Sequence, residues 1–246
     1  MAIDSLPADA REYKNIFMYL HNSPVATALT INTSKIYDHI LTEFWWTAAY
    51  DERTKCIEGT VLRGAHSISI DVDVIRNDLK LDYLQEGERY VQPANQDEWK
   101  NMLRECGYNF AVKDEEKKDL IPNNPRKKEL PGVYHYLLSN IIQSLGGNSG
   151  SFDQANSLMM QIMEGLVTGR KIDYAAIIFQ DMVNKVTHTP RVTTVPFIRF
   201  FSLIIRNQLG SKIYRQEGFH FVKPSQMNVH VFKVAANAHI AQLSLT

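Results

Sequence analysis

Cysteine is nearly missing from this chain: Cys56 and Cys106 are the two among 246 residues. That excludes a disulfide-stapled scaffold, and the pair lacks the close spacing that zinc ligands need. A reducing compartment fits such usage. Net charge is missing too, because 27 Lys and Arg residues balance 27 Asp and Glu. A neutral chain has no whole-molecule field to draw it to nucleic acid or to an anionic membrane, although a local basic patch is compatible with the balance. There is also no long hydrophobic run. The most apolar stretch, Phe197 to Leu209, is interrupted by Arg199, Ser202 and Arg206 and falls short of the roughly 20 apolar residues that cross a bilayer. Met1 to Pro7 carries Asp4 and has neither a basic region nor an apolar core, so it does not read as a secretory signal. The expected location is intracellular, cytoplasm or nucleus, with no membrane partner.

What is present is apolar periodicity. A hydrophobic content of 44% supplies a core, and most of it recurs at helical spacing. Tyr13, Ile16, Phe17 and Leu20 predict a helix over 10–21. Ser23-Pro24 reads as the start of a short second helix, and Thr33 or Ser34 as the cap of a third carrying Ile36, Ile40, Leu41 and Phe44. The period then changes. Lys55 to Leu62 and Ser67 to Ile70 are rich in β-branched residues and flank Arg63-Gly64-Ala65-His66, which predicts a hairpin. A short helix capped by Asp71 is expected to cover it. Asp97 to Cys106 predicts another helix closed by Gly107, and Tyr134 to Leu145 a central one ended by Gly146-Gly147. Asp153 is expected to open a helix closed by Gly169, and Asp173 to open the next. Phe197 to Leu209 reads as a surrounded core helix, with Arg199 and Arg206 pairing internal acids or facing an acidic partner. Ser225 reads as the cap of a last helix through Val229, Phe232 and Ala236, with a strand as the alternative because of its β-branched content. The expected class is mainly α, a multi-helix globular fold with one small β-hairpin in the N-terminal half. Its expected organisation is a helical subdomain over 1–110, a flexible charged connection over 111–130 and a second helical subdomain over 131–246.

No pattern carries chemistry. Gly147-Asn148-Ser149-Gly150-Ser151 superficially matches a serine-nucleophile segment, but it sits between two predicted helices without the rigid frame that a base and an acid require. No Gly-Lys-Ser or Gly-Lys-Thr makes these glycines a phosphate loop. His220, His230 and His239 lack the spacing of helical metal ligands. The expectation is a non-enzyme with no cofactor, no metal and no identifiable small-molecule substrate. Candidate contacts remain. Lys117, Lys118, Arg126, Lys127 and Lys128 are the basic residues with which to touch nucleic acid, although neighbouring acids dilute their field. Trp45 and Trp46, one expected in the core and the other partly covered at the helix end, with an interface position as the alternative, join Arg199 and Arg206 as candidate partner contacts.

Phe44-Trp45-Trp46-Thr47-Ala48, Gly64 to Ile70 and Val74 to Leu81, followed by Leu166 to Tyr174, Ile178 to Met182 and Pro196 to Phe200, stand in a particular order. In that order the chain, over roughly Met1 to Val231, resembles an uncharacterised domain of plant long-terminal-repeat retrotransposon proteins, also described as a putative plant transposon protein. The resemblance implies a retrotransposon origin and no established activity. A protease, polymerase or zinc-knuckle motif of the neighbouring retroelement enzymes is not found. The expected function is therefore a non-catalytic interaction or assembly domain, binding a protein partner or itself. The alternative is a nucleic-acid-binding accessory protein of a retroelement.

Overall fold

The computed structural model describes residues 14–31, 36–109, 121–145, 153–188, 195–215 and 221–222. The features expected at Tyr13, Thr33, Ser34, Gly146 to Gly150, Pro190 and Ser225 lie outside them. The fold is mainly α. Nine α-helices among the described residues are α1 (Lys14–His21), α2 (Ala26–Thr30), α3 (Asp38–Thr47), α4 (Val72–Asp78), α5 (Gln96–Glu105), α6 (Gly132–Ser144), α7 (Ser157–Thr168), α8 (Tyr174–His188) and α9 (Ile198–Leu209). Strands β2 (Ala49–Asp51), β3 (Cys56–Val61) and β4 (His66–Ile70) form an antiparallel sheet in that order, while β1 (Ile36–Tyr37) pairs with β5 (Phe221–Val222).

Two compact units result, each discontinuous: Met1–Ile31 with Leu79–Ile178, and Asn32–Asp78 with Phe179–Thr246. This differs from the linear division expected at 110 and 130. The reason is long-range packing that local periodicity does not encode: the 36–78 region shares its core with α9, far along the chain.

In the first unit α6 touches α2 and α7, and α7 touches α5. Leu137, Leu138, Ile141 and Ile142 of α6 are buried beside Met159, Met160 and Met163 of α7, so the methionines are core. Helix α5 starts on a capping box: Asn95 Oδ1 accepts from the N–H groups of Asp97 and Glu98, both at 3.0 Å, and Glu98 Oε2 accepts from Asn95 N–H at 2.8 Å. It ends at Gly107, whose φ of 79° allows Tyr108 N–H to donate back to Leu103 O at 3.0 Å. Helix α7 closes on Gly169 at φ 75° as expected. Its cap is Asn156, not Asp153, because Asn156 Oδ1 accepts from Met159 N–H at 2.9 Å. Ser23 is likewise no forward cap; its hydroxyl donates back to Leu20 O.

The segment 121–130 is structured rather than a flexible connection. Ile121 and Leu130 are buried, Arg126 bridges Gln154, and a 3₁₀ turn spans Lys127–Glu129. Its charges are outward while its apolar ends anchor it.

In the second unit the hairpin forms with Val61 opposite His66, one residue from the expected boundary. Burial alternates along β3, with Ile57, Gly59 and Val61 inward and Glu58 outward. Helix α3 lies on β3 and α9 beside β4, so the cover expected from α4 comes from these two; α4 packs on α9 instead. Asp71 does cap α4, accepting from Val74 N–H at 2.8 Å. Ile36, expected in helix, stands in β1. The Phe44 ring meets Phe201 edge-on at 5.2 Å and presses onto the strand at Gly59. Gln208 behaves as a substitute strand: its amide accepts from Ser69 N–H at 3.2 Å and donates to Ser69 O at 2.6 Å, covering part of the β4 edge.

A Cβ added at Gly59 would lie 2.8 Å from two Phe44 ring carbons and 3.2 Å from Ala48 Cα. Gly59→Val is therefore expected to destabilise the protein by about 1–3 kcal/mol through overpacking. Urea titration followed by circular dichroism measures it, and an unchanged midpoint would contradict this packing.

Candidate functional site

The expected basic contacts are described only in part. Lys117 and Lys118 lie outside the described residues. Arg126 and Lys128 are exposed, but each has an acid at long ion-pair distance: Arg126 Nε is 4.0 Å from Asp153 Oδ2, and Lys128 Nζ is 3.9 Å from Glu129 Oε1. Lys127 is half-buried, and its N–H donates to Asp153 O at 2.8 Å. Backbone pairing with 153–155 thus orders the tripeptide, while local carboxylates weaken the field it offers a phosphate backbone.

The two tryptophans separate as their helix dictates. Trp45 is fully buried, so it is no partner contact in this fold; Trp46, next on the helix, turns to the half-exposed side. Arg199 and Ser202, expected on a polar stripe of α9, are buried at 7% and 8% exposure, and Arg206 is half-buried. The Arg199 guanidinium carbon sits 5.4 Å from the Phe200 ring centre. Asp181 of α8 is also buried in this unit. Of the four expected contacts, Trp46 and Arg206 keep access to solvent.

A cluster that the sequence reading missed lies in the first unit. Arg170 Nη2 is 3.1 Å from Glu98 Oε1 and 3.1 Å from Glu164 Oε1, tying α5 to α7 at the turn behind Gly169. The Glu164 side chain is 3% exposed, those of Arg170 and Glu98 30% and 42%. Thr168 Oγ1 donates to Glu164 Oε1 at 3.3 Å, whereas Glu164 Oε2 is buried with no hydrogen-bond partner among the described residues. Burial raises the Glu164 carboxyl above its ordinary value, outweighing Arg170. Glu98 is held below its ordinary value, first by the Asn95 N–H and then by Arg170.

No family model, no curated protein and no solved structure matches this chain.

The rest of the turn is equally bound. Lys171 pairs with Glu88, Lys171 O accepts from Val91 N–H at 2.9 Å, and Tyr83 Oη donates to Ile172 O at 2.8 Å. Tyr19 Oη donates to Leu166 O. Burial pushes the Tyr83 and Tyr174 hydroxyls well above the ordinary tyrosine range, so both stay neutral. Chemically the arrangement holds charge and orders a turn. Two sequence signals pointed at it: a lone glutamate inside the apolar run Met159 to Leu166, and Asn95 three residues before Glu98. Among the described residues no group of three or more His, Cys, Asp and Glu side chains is placed to hold a metal ion, and no helix is long and apolar enough to cross a membrane.

Proposed function

We propose that this chain is a non-catalytic interaction or assembly domain of retrotransposon origin that associates with further copies of itself. The observation that carries the assembly reading is on α1, where adjacent Met18 and Tyr19 are 51% and 43% exposed. Large apolar side chains left exposed on one helix favour burial against another surface. A formal net charge of zero adds to this, since copies of the chain meet no overall like-charge repulsion. The origin rests on the collinear order of segments described above.

Size-exclusion chromatography with light scattering over a concentration series tests the reading. The expected mass exceeds the 28.2 kDa of one chain and rises with concentration, and Met18→Lys lowers it. A strict monomer at high concentration overturns self-assembly. Salt-dependent binding to RNA or DNA by such a monomer would favour the accessory-protein alternative, through Arg126, Lys127 and Lys128.

A further inference from the structure

The tip of the β3–β4 hairpin already holds an anion. Leu62, Arg63 and Gly64 have φ of 58°, 59° and 77°, and Ala65 N–H closes the turn onto Leu62 O at 3.3 Å. Positive φ at both central residues suits a tight hairpin turn, but Arg63 is an unusual occupant and Leu62 extends the left-handed run. Such a turn directs successive backbone N–H groups to one side, where they make an anion-receiving concavity. Its occupant is Glu43 of α3. Arg63 N–H donates to Glu43 Oε2 at 2.9 Å, and Gly64 N–H donates to Glu43 Oε1 at 2.7 Å.

Space in front of the tip is open. Arg63, Gly64 and Ala65 are exposed, and a Cβ built on Gly64 meets nothing within 4 Å. We infer that the hairpin tip is a latent oxyanion site, closed in cis by Glu43, whose external ligand is a phosphate group. Two convergent N–H donors, on a turn that itself carries an exposed arginine, suit a phosphate dianion, whose oxygens can accept from both amides and from a guanidinium. A tethered carboxylate acts at an effective concentration in the millimolar range or above. Free phosphate therefore competes poorly while Glu43 is in place, and the site opens when that side chain is withdrawn or removed. The inference stands on the turn geometry and is independent of the assembly reading.

Amide NMR of the full chain, titrated with inorganic phosphate at constant ionic strength, tests it. In Glu43→Ala the amides of Arg63 and Gly64 are expected to shift saturably, with at least about tenfold tighter binding than in the unsubstituted protein. Adding Arg63→Gln should weaken that binding severalfold. A folded Glu43→Ala protein with no saturable shift at these two amides overturns the site. Acetate binding tighter than phosphate overturns the phosphate assignment. If Glu43→Ala opens the hairpin, Glu43→Gln carries the test, because its neutral amide oxygen is a weaker occupant; phosphate binding equal to that of the unsubstituted protein then refutes the inference.

Discussion

Trp45→Ala is expected to remove about 3–5 kcal/mol of unfolding free energy, while Trp46→Ala leaves most of the stability in place. The contrast follows from one step along α3. Trp45 has no solvent exposure, so its truncation leaves a cavity in a close-packed interior that its neighbours cannot fill. Trp46 is half-exposed, and its removal forfeits only partial burial. Urea unfolding of both variants, read by far-ultraviolet circular dichroism, separates them. Equal losses would mean that Trp45 is not enclosed as described. The pair also sorts the assembly question, since Trp46→Ala alone can change association without changing folding.

Arg170→Ala is expected to lose about 2 kcal/mol at neutral pH, less than the roughly 3–5 kcal/mol of a fully enclosed pair because the Arg170 side chain keeps 30% exposure. The loss arises because Glu164 stays buried once the Arg170 cation it pairs with among the described residues is gone. Glu164→Gln behaves differently: it keeps an oxygen for Arg170 and removes the charge that burial penalises, so its stability at neutral pH should equal or exceed that of the unsubstituted protein. The pH dependence has a definite sign. Because the folded-state pKa of Glu164 is raised, its contribution is fully present below the ordinary glutamate value and is lost as pH rises through the raised one. Glu98 and Glu88, both lowered, contribute above the ordinary value and lose that contribution as pH falls through their lowered ones. Denaturant melts across the weakly acidic to neutral range should therefore show a decline with rising pH in the unsubstituted protein that Glu164→Gln abolishes. An unchanged slope in that variant would assign the decline to another group.

The cluster was half legible. Asn95 followed by Glu98 is a helix-start signature that periodicity alone passed over in favour of Asp97, and the capping box then proved to hold one of the two carboxylates around Arg170. That Glu164 and Glu98 meet the same guanidinium is a contact across 66 positions of sequence and leaves no local trace. Similarly, the hairpin was visible in its β-branched runs and its glycine, but its anion was not, because Glu43 reaches it from a helix 20 positions earlier.

By itself the sequence determined most of the described elements: helices where apolar residues recur every three to four positions, apart from Ile36, a hairpin where the period drops to two, and ends at Gly107, Gly169, Asp71 and Asp173, whose backbone or side-chain chemistry acts within one turn. Tertiary structure alone decided the rest. It joined β4 to α9 through Gln208 and Ser69, split the chain into two discontinuous units instead of two successive halves, buried Trp45 and exposed part of Trp46, and ordered the segment 121–130 through its pairing with 153–155. The physical reason is range. Propensity, capping and turn chemistry act between neighbours, whereas burial and ion pairing depend on which distant surfaces meet once the apolar faces are packed.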